Sequence, residues 1–145
     1  MALYVTNDFA FEAPEAYEAQ TLHELEAPAG DEGLLAVLIQ RTPMPPETPL
    51  AQVVEAHVKY EGRRLPMHQV LEAKDRRVAG LPGIEIVFVW RYGRRQILGR
   101  EVHVVHRGTR LTFSATTVAS HREQSDAYFD RMISTLELDS GEETR

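Results

Sequence analysis

At 145 residues the chain has the length of one ordinary domain, enough to bury roughly 68–70% of the surface its unfolded form exposes. A composition of 43% hydrophobic and 26% charged residues excludes a disordered chain, and no run approaches the ~20 apolar residues of a membrane-spanning helix. The net charge of −6 argues against nucleic acid as the main partner, and zero cysteines exclude disulfides, zinc–thiolate sites and thiol nucleophiles.

The N-terminus, Met1 to Asp8, lacks the positive and apolar regions of a signal peptide, so a cytoplasmic location is expected. Tyr4 to Phe11, Thr21 to Glu26 and Leu34 to Arg41 read as strands, rich in β-branched, aromatic or alternating residues. Leu34 to Ile39 offers apolar side chains to both faces of any sheet it enters, because side chains alternate along a strand. The Pro-rich stretch Thr42 to Pro49 leads into a helix, with Thr48 as N-cap and Pro49 at the first helical position. Leu50, Val53, Val54, His57 and Val58 then follow helical spacing, and Gly62 is the expected stop.

Four more strands are expected at His68 to Arg77, Ile84 to Tyr92, Gln96 to His106 and Arg110 to Val118. The turn signals Gly80-Leu81-Pro82-Gly83, Gly93-Arg94-Arg95 and Arg107-Gly108-Thr109 are short enough to join antiparallel neighbours into a meander. A second helix is expected after Ser120, where Ser120-His121-Arg122-Glu123 has the form of a capping box. Phe129, Met132, Ile133 and Leu136 make its apolar stripe, and it runs to about Leu138. Residues 1–138 thus form one domain, and 139–145 a polar tail. Strand clusters with one helix inserted and one at the end indicate an α+β fold, an antiparallel sheet with helices packed on it.

No polar set reads as catalytic. His103 and His106 point to opposite faces of their strand, and His23, His57, His68 and His121 read as surface or boundary histidines; no metal site is expected. Nucleophile motifs, phosphate loops and dinucleotide turns are lacking, so neither an enzyme nor a cofactor is expected. The arginines around Trp90 and Tyr92 have the residue types of an RNA platform, but Trp90 shares an expected packed apolar face with Ile84, Ile86 and Phe88. Charge is divided along the chain: eight acids and no Lys or Arg occupy residues 1–40, and seven arginines against two acids occupy 84–122. These are either solvated faces that balance within the fold or the two poles of a subunit that pairs head to tail with another copy. Two helices of about 15 residues cannot cover both faces of such a sheet. The second face is either closed by a dimer partner or the N-terminal segment, or left open as a groove for a hydrophobic ligand.

Several stretches resemble the DcrB-like family of the PsbP-like fold. They are Ala2-Leu3-Tyr4 through Phe9-Ala10-Phe11-Glu12-Ala13-Pro14, Thr21-Leu22-His23, Val78-Ala79-Gly80-Leu81-Pro82-Gly83 and Phe88-Val89-Trp90-Arg91. Within the family the chain is most similar to the Eag chaperones of type VI secretion. The resemblance implies a PsbP-like α/β/α sandwich and a cytoplasmic homodimer of a Gram-negative bacterium. Its apolar groove would hold the N-terminal transmembrane helices of an Rhs or PAAR-type effector before export. Exported family members carry a lipoprotein signal, which this chain lacks. The alternative is a non-catalytic interaction or scaffold module of the same fold. By strand face, the groove is expected to be lined by Leu22, Val37, Ile39, Leu65, Met67, Leu98, Val102 and Val104. Gln40 and Gln96 are its expected polar contacts, and Leu34, Ala36 and Leu38 are left to the core. Glu24 stands where the family tends to keep an apolar residue.

Overall fold

A computed structural model describes the backbone of residues 2–5, 9–13, 18–21, 24–29 and 33–138, and the side chains of residues 38–138. The chain order is β1 (Ala2–Val5), β2 (Phe9–Ala13), β3 (Glu18–Thr21), β4 (Glu24–Ala29), β5 (Gly33–Pro43) and α1 (Leu50–Arg64). It continues with β6 (Gln69–Val78), β7 (Leu81–Tyr92), β8 (Arg95–His106), β9 (Thr109–Val118), α2 (Arg122–Ser134) and β10 (Glu137–Leu138). Seven strands form one antiparallel sheet in the order β3-β4-β5-β9-β8-β7-β6, and β1, β2 and β10 form a small second sheet.

The meander β6 to β9 follows the expected strands to within a few residues. Its turns are set by backbone chemistry. Ala79-Gly80 and Arg107-Gly108 both have positive φ at the two central positions, the type I′ geometry that matches the twist of a two-residue hairpin. Pro82 and Gly83, expected in a turn, instead lie inside β7. The expected first strand divides into β1 and β2, which pair with each other, and the expected second divides into β3 and β4.

Alternation sorts the sheet into two faces. Ile39, Val102, Val104, Leu111, Phe113 and Ala115 pack with Val78 and with Phe129, Met132, Ile133 and Leu136. The predicted apolar stripe of α2 is thus buried, at about 1.5–3 kcal/mol for each fully buried large side chain. Beneath α2, Glu85 is 1% exposed and held by Arg76 and Arg100, while Arg100 also reaches Asp126 at 3.0 Å and Asp130 at 2.9 Å. The Arg100 guanidinium sits 4.7 Å from the centre of the Phe129 ring. On the opposite face, Leu50, Val54 and Val58 of α1, with Leu65 just after it, pack against Ile84, Ile86, Phe88 and Trp90. The result is helix, sheet, helix in three layers.

The helix ends differ from expectation. Pro49 rather than Thr48 is the N-cap of α1; the Thr48 hydroxyl donates to the Pro46 carbonyl, and the helix runs through Gly62 to Arg64. No side chain caps α2, whose entry is a 3₁₀ turn at Ala119–His121; the helix stops at Ser134, and Glu137–Leu138 joins the small sheet as β10.

Candidate functional site

Helix α1 covers β7 and β8 and leaves the β5–β9 half of that face open. Leu38 is 37% exposed there, Gln40 and Thr116 are exposed, and Ser114 is half-buried with its hydroxyl donating to the Leu38 carbonyl. Between these strands and the flank of α1 lies a cleft of about 490 Å³. Leu38, Leu65, Phe88 and Trp90 give it apolar walls; Gln40, Ser114 and Thr116 give it hydrogen-bonding groups; Tyr60, Glu61 and Arg64 line it from the helix.

Beneath the cleft a polar chain crosses from helix to sheet. His57 Nε2 donates to Glu101 Oε2 at 3.3 Å and lies 3.4 Å from Glu61 Oε1. The other Glu101 oxygen accepts from His103 Nε2 at 3.2 Å, and His103 Nδ1 meets the Thr112 hydroxyl at 3.3 Å. The two imidazoles meet edge to face, 5.3 Å between centroids. Helical i,i+4 spacing sets Glu61 above His57, and strand i,i+2 spacing sets Glu101 beside His103. Hydrogen bonding to Glu101, seconded by Glu61, outweighs partial burial and pushes His57 up to about 9. Burial would raise Glu101, yet hydrogen bonds from His103 and His57 outweigh it and hold that carboxyl far below the usual range. Burial dominates the other two, raising Glu61 and lowering His103.

The sequence-derived groove residues do not converge. Gln40 and Leu65 line the cleft. Ile39, Leu98, Val102 and Val104 are at most 2% exposed, so their expected place in an open groove is corrected. Ile39 pairs with Phe113 and Val102 with the same residue from the other side, which turns all four toward the α2 face. Leu38, expected in the core, faces the cleft instead. Val37 pairs with Ala115 in the same phase as Ile39, and its side chain lies outside the described residues, as does Leu22 altogether. Met67 is 76% exposed just beyond α1, and Gln96 is exposed in the strand phase of Leu98, on the far side of the sheet from Gln40.

His57 is half-buried, a boundary histidine as expected, but it has two carboxylate partners in Glu61 and Glu101. The signal was present in the His57/Glu61 and Glu101/His103 spacings, but nothing local tells that two pairs 44 residues apart meet. His103 and His106 do take opposite strand phases, and His68 packs against Phe88 with 5.2 Å between ring centroids.

Solved structures share the fold, three of them as follows. PA94 of Pseudomonas aeruginosa, a protein of unknown function, is 21% identical with a TM-score of 0.68 over 91% of this chain and 93% of its own. LpqN of Mycobacterium tuberculosis, involved in cell envelope biogenesis, is 10% identical with a TM-score of 0.70 over 90% and 82%. The cyanobacterial PsbP, CyanoP, of Synechocystis sp. PCC 6803 is 15% identical with a TM-score of 0.63 over 90% and 86%. No curated protein matches the chain by sequence. The DcrB family profile matches residues 9–135, nearly the whole chain, and this protein therefore belongs to the DcrB family.

Proposed function

We propose that the chain is a non-catalytic cytoplasmic chaperone that, as a homodimer, shields the N-terminal transmembrane helices of a type VI secretion effector of the Rhs or PAAR type until export. The observation that carries this reading is the half-open α1 face. A transmembrane helix is apolar all round and packs through small and hydroxyl residues, so its carrier needs apolar walls with a few hydrogen-bonding groups among them. Leu38, Leu65, Phe88 and Trp90 suit the first need, and Gln40, Ser114 and Thr116 the second. Exposed Tyr60 and Met67 extend the apolar surface past the C-terminal half of α1.

A cleft of about 490 Å³ takes the side chains of a helix rather than the helix itself, whose diameter is about 10–12 Å. A second copy completing the groove is therefore part of the reading. The acid-only first 40 residues and the arginine-rich stretch 84–122 supply opposite charges for such a pair.

The test is co-expression with the first roughly 60 residues of an Rhs or PAAR effector encoded beside the chain, room for two spans of ~20 residues. The segment should stay soluble and co-purify with wild type, and be lost with folded Leu38→Asp. Retention by folded Leu38→Asp overturns the cleft as the binding surface. A wild-type chain that leaves the segment insoluble points instead to an interaction module for folded partners.

A further inference from the structure

We propose that His57, Glu101 and His103, with Glu61 as fourth ligand, form a binding site for a divalent transition cation, zinc by preference, at the floor of the cleft. One donor atom from each of the first three lies within 4.8 Å of the others. Zn–N and Zn–O bonds of about 2.0–2.2 Å place neighbouring ligands of a tetrahedral ion about 3.3–3.5 Å apart. His57 Nε2 stands 3.3 Å from one Glu101 oxygen and 3.4 Å from Glu61, and His103 Nε2 stands 3.2 Å from the other Glu101 oxygen, so three of the contacts already have the length of that edge.

Two further observations point to a ligand. Glu61 is 5% exposed, and its Oε1 faces His57 Nε2 at 3.4 Å, a nitrogen whose one proton already serves Glu101 at 3.3 Å, so this buried carboxylate lacks a full hydrogen bond of its own. Thr112 stands behind His103, its hydroxyl on Nδ1. With Nδ1 protonated and donating to that hydroxyl, Nε2 would turn its lone pair to an ion held between it and Glu101, the outer-sphere support that metal-bound imidazoles take.

Charge and ligand type agree. Once the ion displaces the proton held on His57, the two carboxylates balance its two charges; Arg110 adds a positive charge near Glu101 and His103 without standing among the donors. Paired imidazoles favour zinc, copper or nickel over magnesium or calcium. Such an ion would tie α1, which carries His57 and Glu61, to β8, which carries Glu101 and His103. The inference is independent of the effector reading, since it concerns how the cleft floor is built rather than what enters it.

The test uses the full chain without an affinity tag, equilibrated with Zn²⁺, dialysed and assayed for bound metal. One zinc per chain is expected, together with the intense visible absorption of tetrahedral coordination when Co²⁺ replaces it. His57→Ala should abolish binding, Thr112→Val should weaken it about 10–100-fold at unchanged stoichiometry, and His106→Ala should leave it alone. A wild type that retains no zinc, a His57→Ala variant that retains as much, or a pale octahedral cobalt spectrum overturns the site. Should His57→Ala fail to fold, the wild-type cobalt spectrum still decides.

Discussion

Gly99 is the position where the sheet tolerates least. It pairs directly with Phe88 across β7 and β8, and the Phe88 ring lies flat over the place a side chain would occupy. A Cβ there would stand 2.7 Å from Cε2 and 2.8 Å from Cε1 of the ring, and closer still to Cζ. Relief to ordinary contact requires a ring displacement of about 0.7 Å or more, and the ring cannot back away freely because Val54 and Ile86 pack against it. Overpacking of this kind costs about 1–3 kcal/mol, set against about 0.5–1 kcal/mol regained by removing a strand glycine. Gly99→Ala should therefore lose about 1–2 kcal/mol in urea unfolding, with a fall in Tm of about 2–4 °C per kcal/mol at this chain length. Phe88→Leu in the Gly99→Ala background should restore part of the loss, with a coupling of about 1 kcal/mol between the two sites. A Gly99→Ala variant as stable as wild type, or one that Phe88→Leu fails to rescue, refutes the packing described.

The phase of β5 predicts opposite fates for neighbours: Ile39→Asp should unfold the chain by burying a carboxylate worth several kcal/mol, while Leu38→Asp should shift the urea midpoint little. Equal losses would refute the face assignment. Arg100→Met should cost about 3 kcal/mol in urea unfolding, because it leaves Glu85 buried with less compensation; a neutral effect would show that Arg76 suffices. For Asp130, burial pushes the carboxyl up, but its hydrogen bond to Arg100 and the charges of Arg100 and Arg76 outweigh this and lower it below 3.8. A lowered folded-state pKa contributes stability that is full above the unfolded value and lost as pH falls through the folded one. The stability gap between wild type and Asp130→Asn should thus be constant near neutrality and narrow progressively as pH falls below about 3.8; a gap that does not narrow in acid contradicts the pairing.

Much of the fold was legible because its signals are local. The β6–β9 hairpins are announced by glycines at the turns, and the α2 stripe by helical spacing of Phe129, Met132, Ile133 and Leu136. The sides of β5 were not. Leu34 to Ile39 is apolar in both phases, so alternation defines two sets of residues without saying which meets α2; only the pairing of Ile39 with Phe113 decides it. The same limit hid the cleft floor. His57/Glu61 and Glu101/His103 each have a recognisable spacing, but the helix–sheet contact that joins them is tertiary. Gln40, named for the groove beside Val37 and Ile39, has the opposite strand phase from them and so lies on the cleft side, and Leu65 reaches the cleft as the residue that ends α1.

The two faces of the sheet divide the labour of the chain. Behind α2 lie the largest buried cluster and the ion network around Glu85, whereas Leu38, Gln40 and Thr116 stand in the open on the other side of the same strands. Because adjacent residues of one strand serve opposite faces, substitutions at these three positions leave the α2-side packing in place. The cleft can therefore diverge in shape and polarity between related chains at small thermodynamic risk, with β5 and β9 acting as a fixed frame for a variable surface.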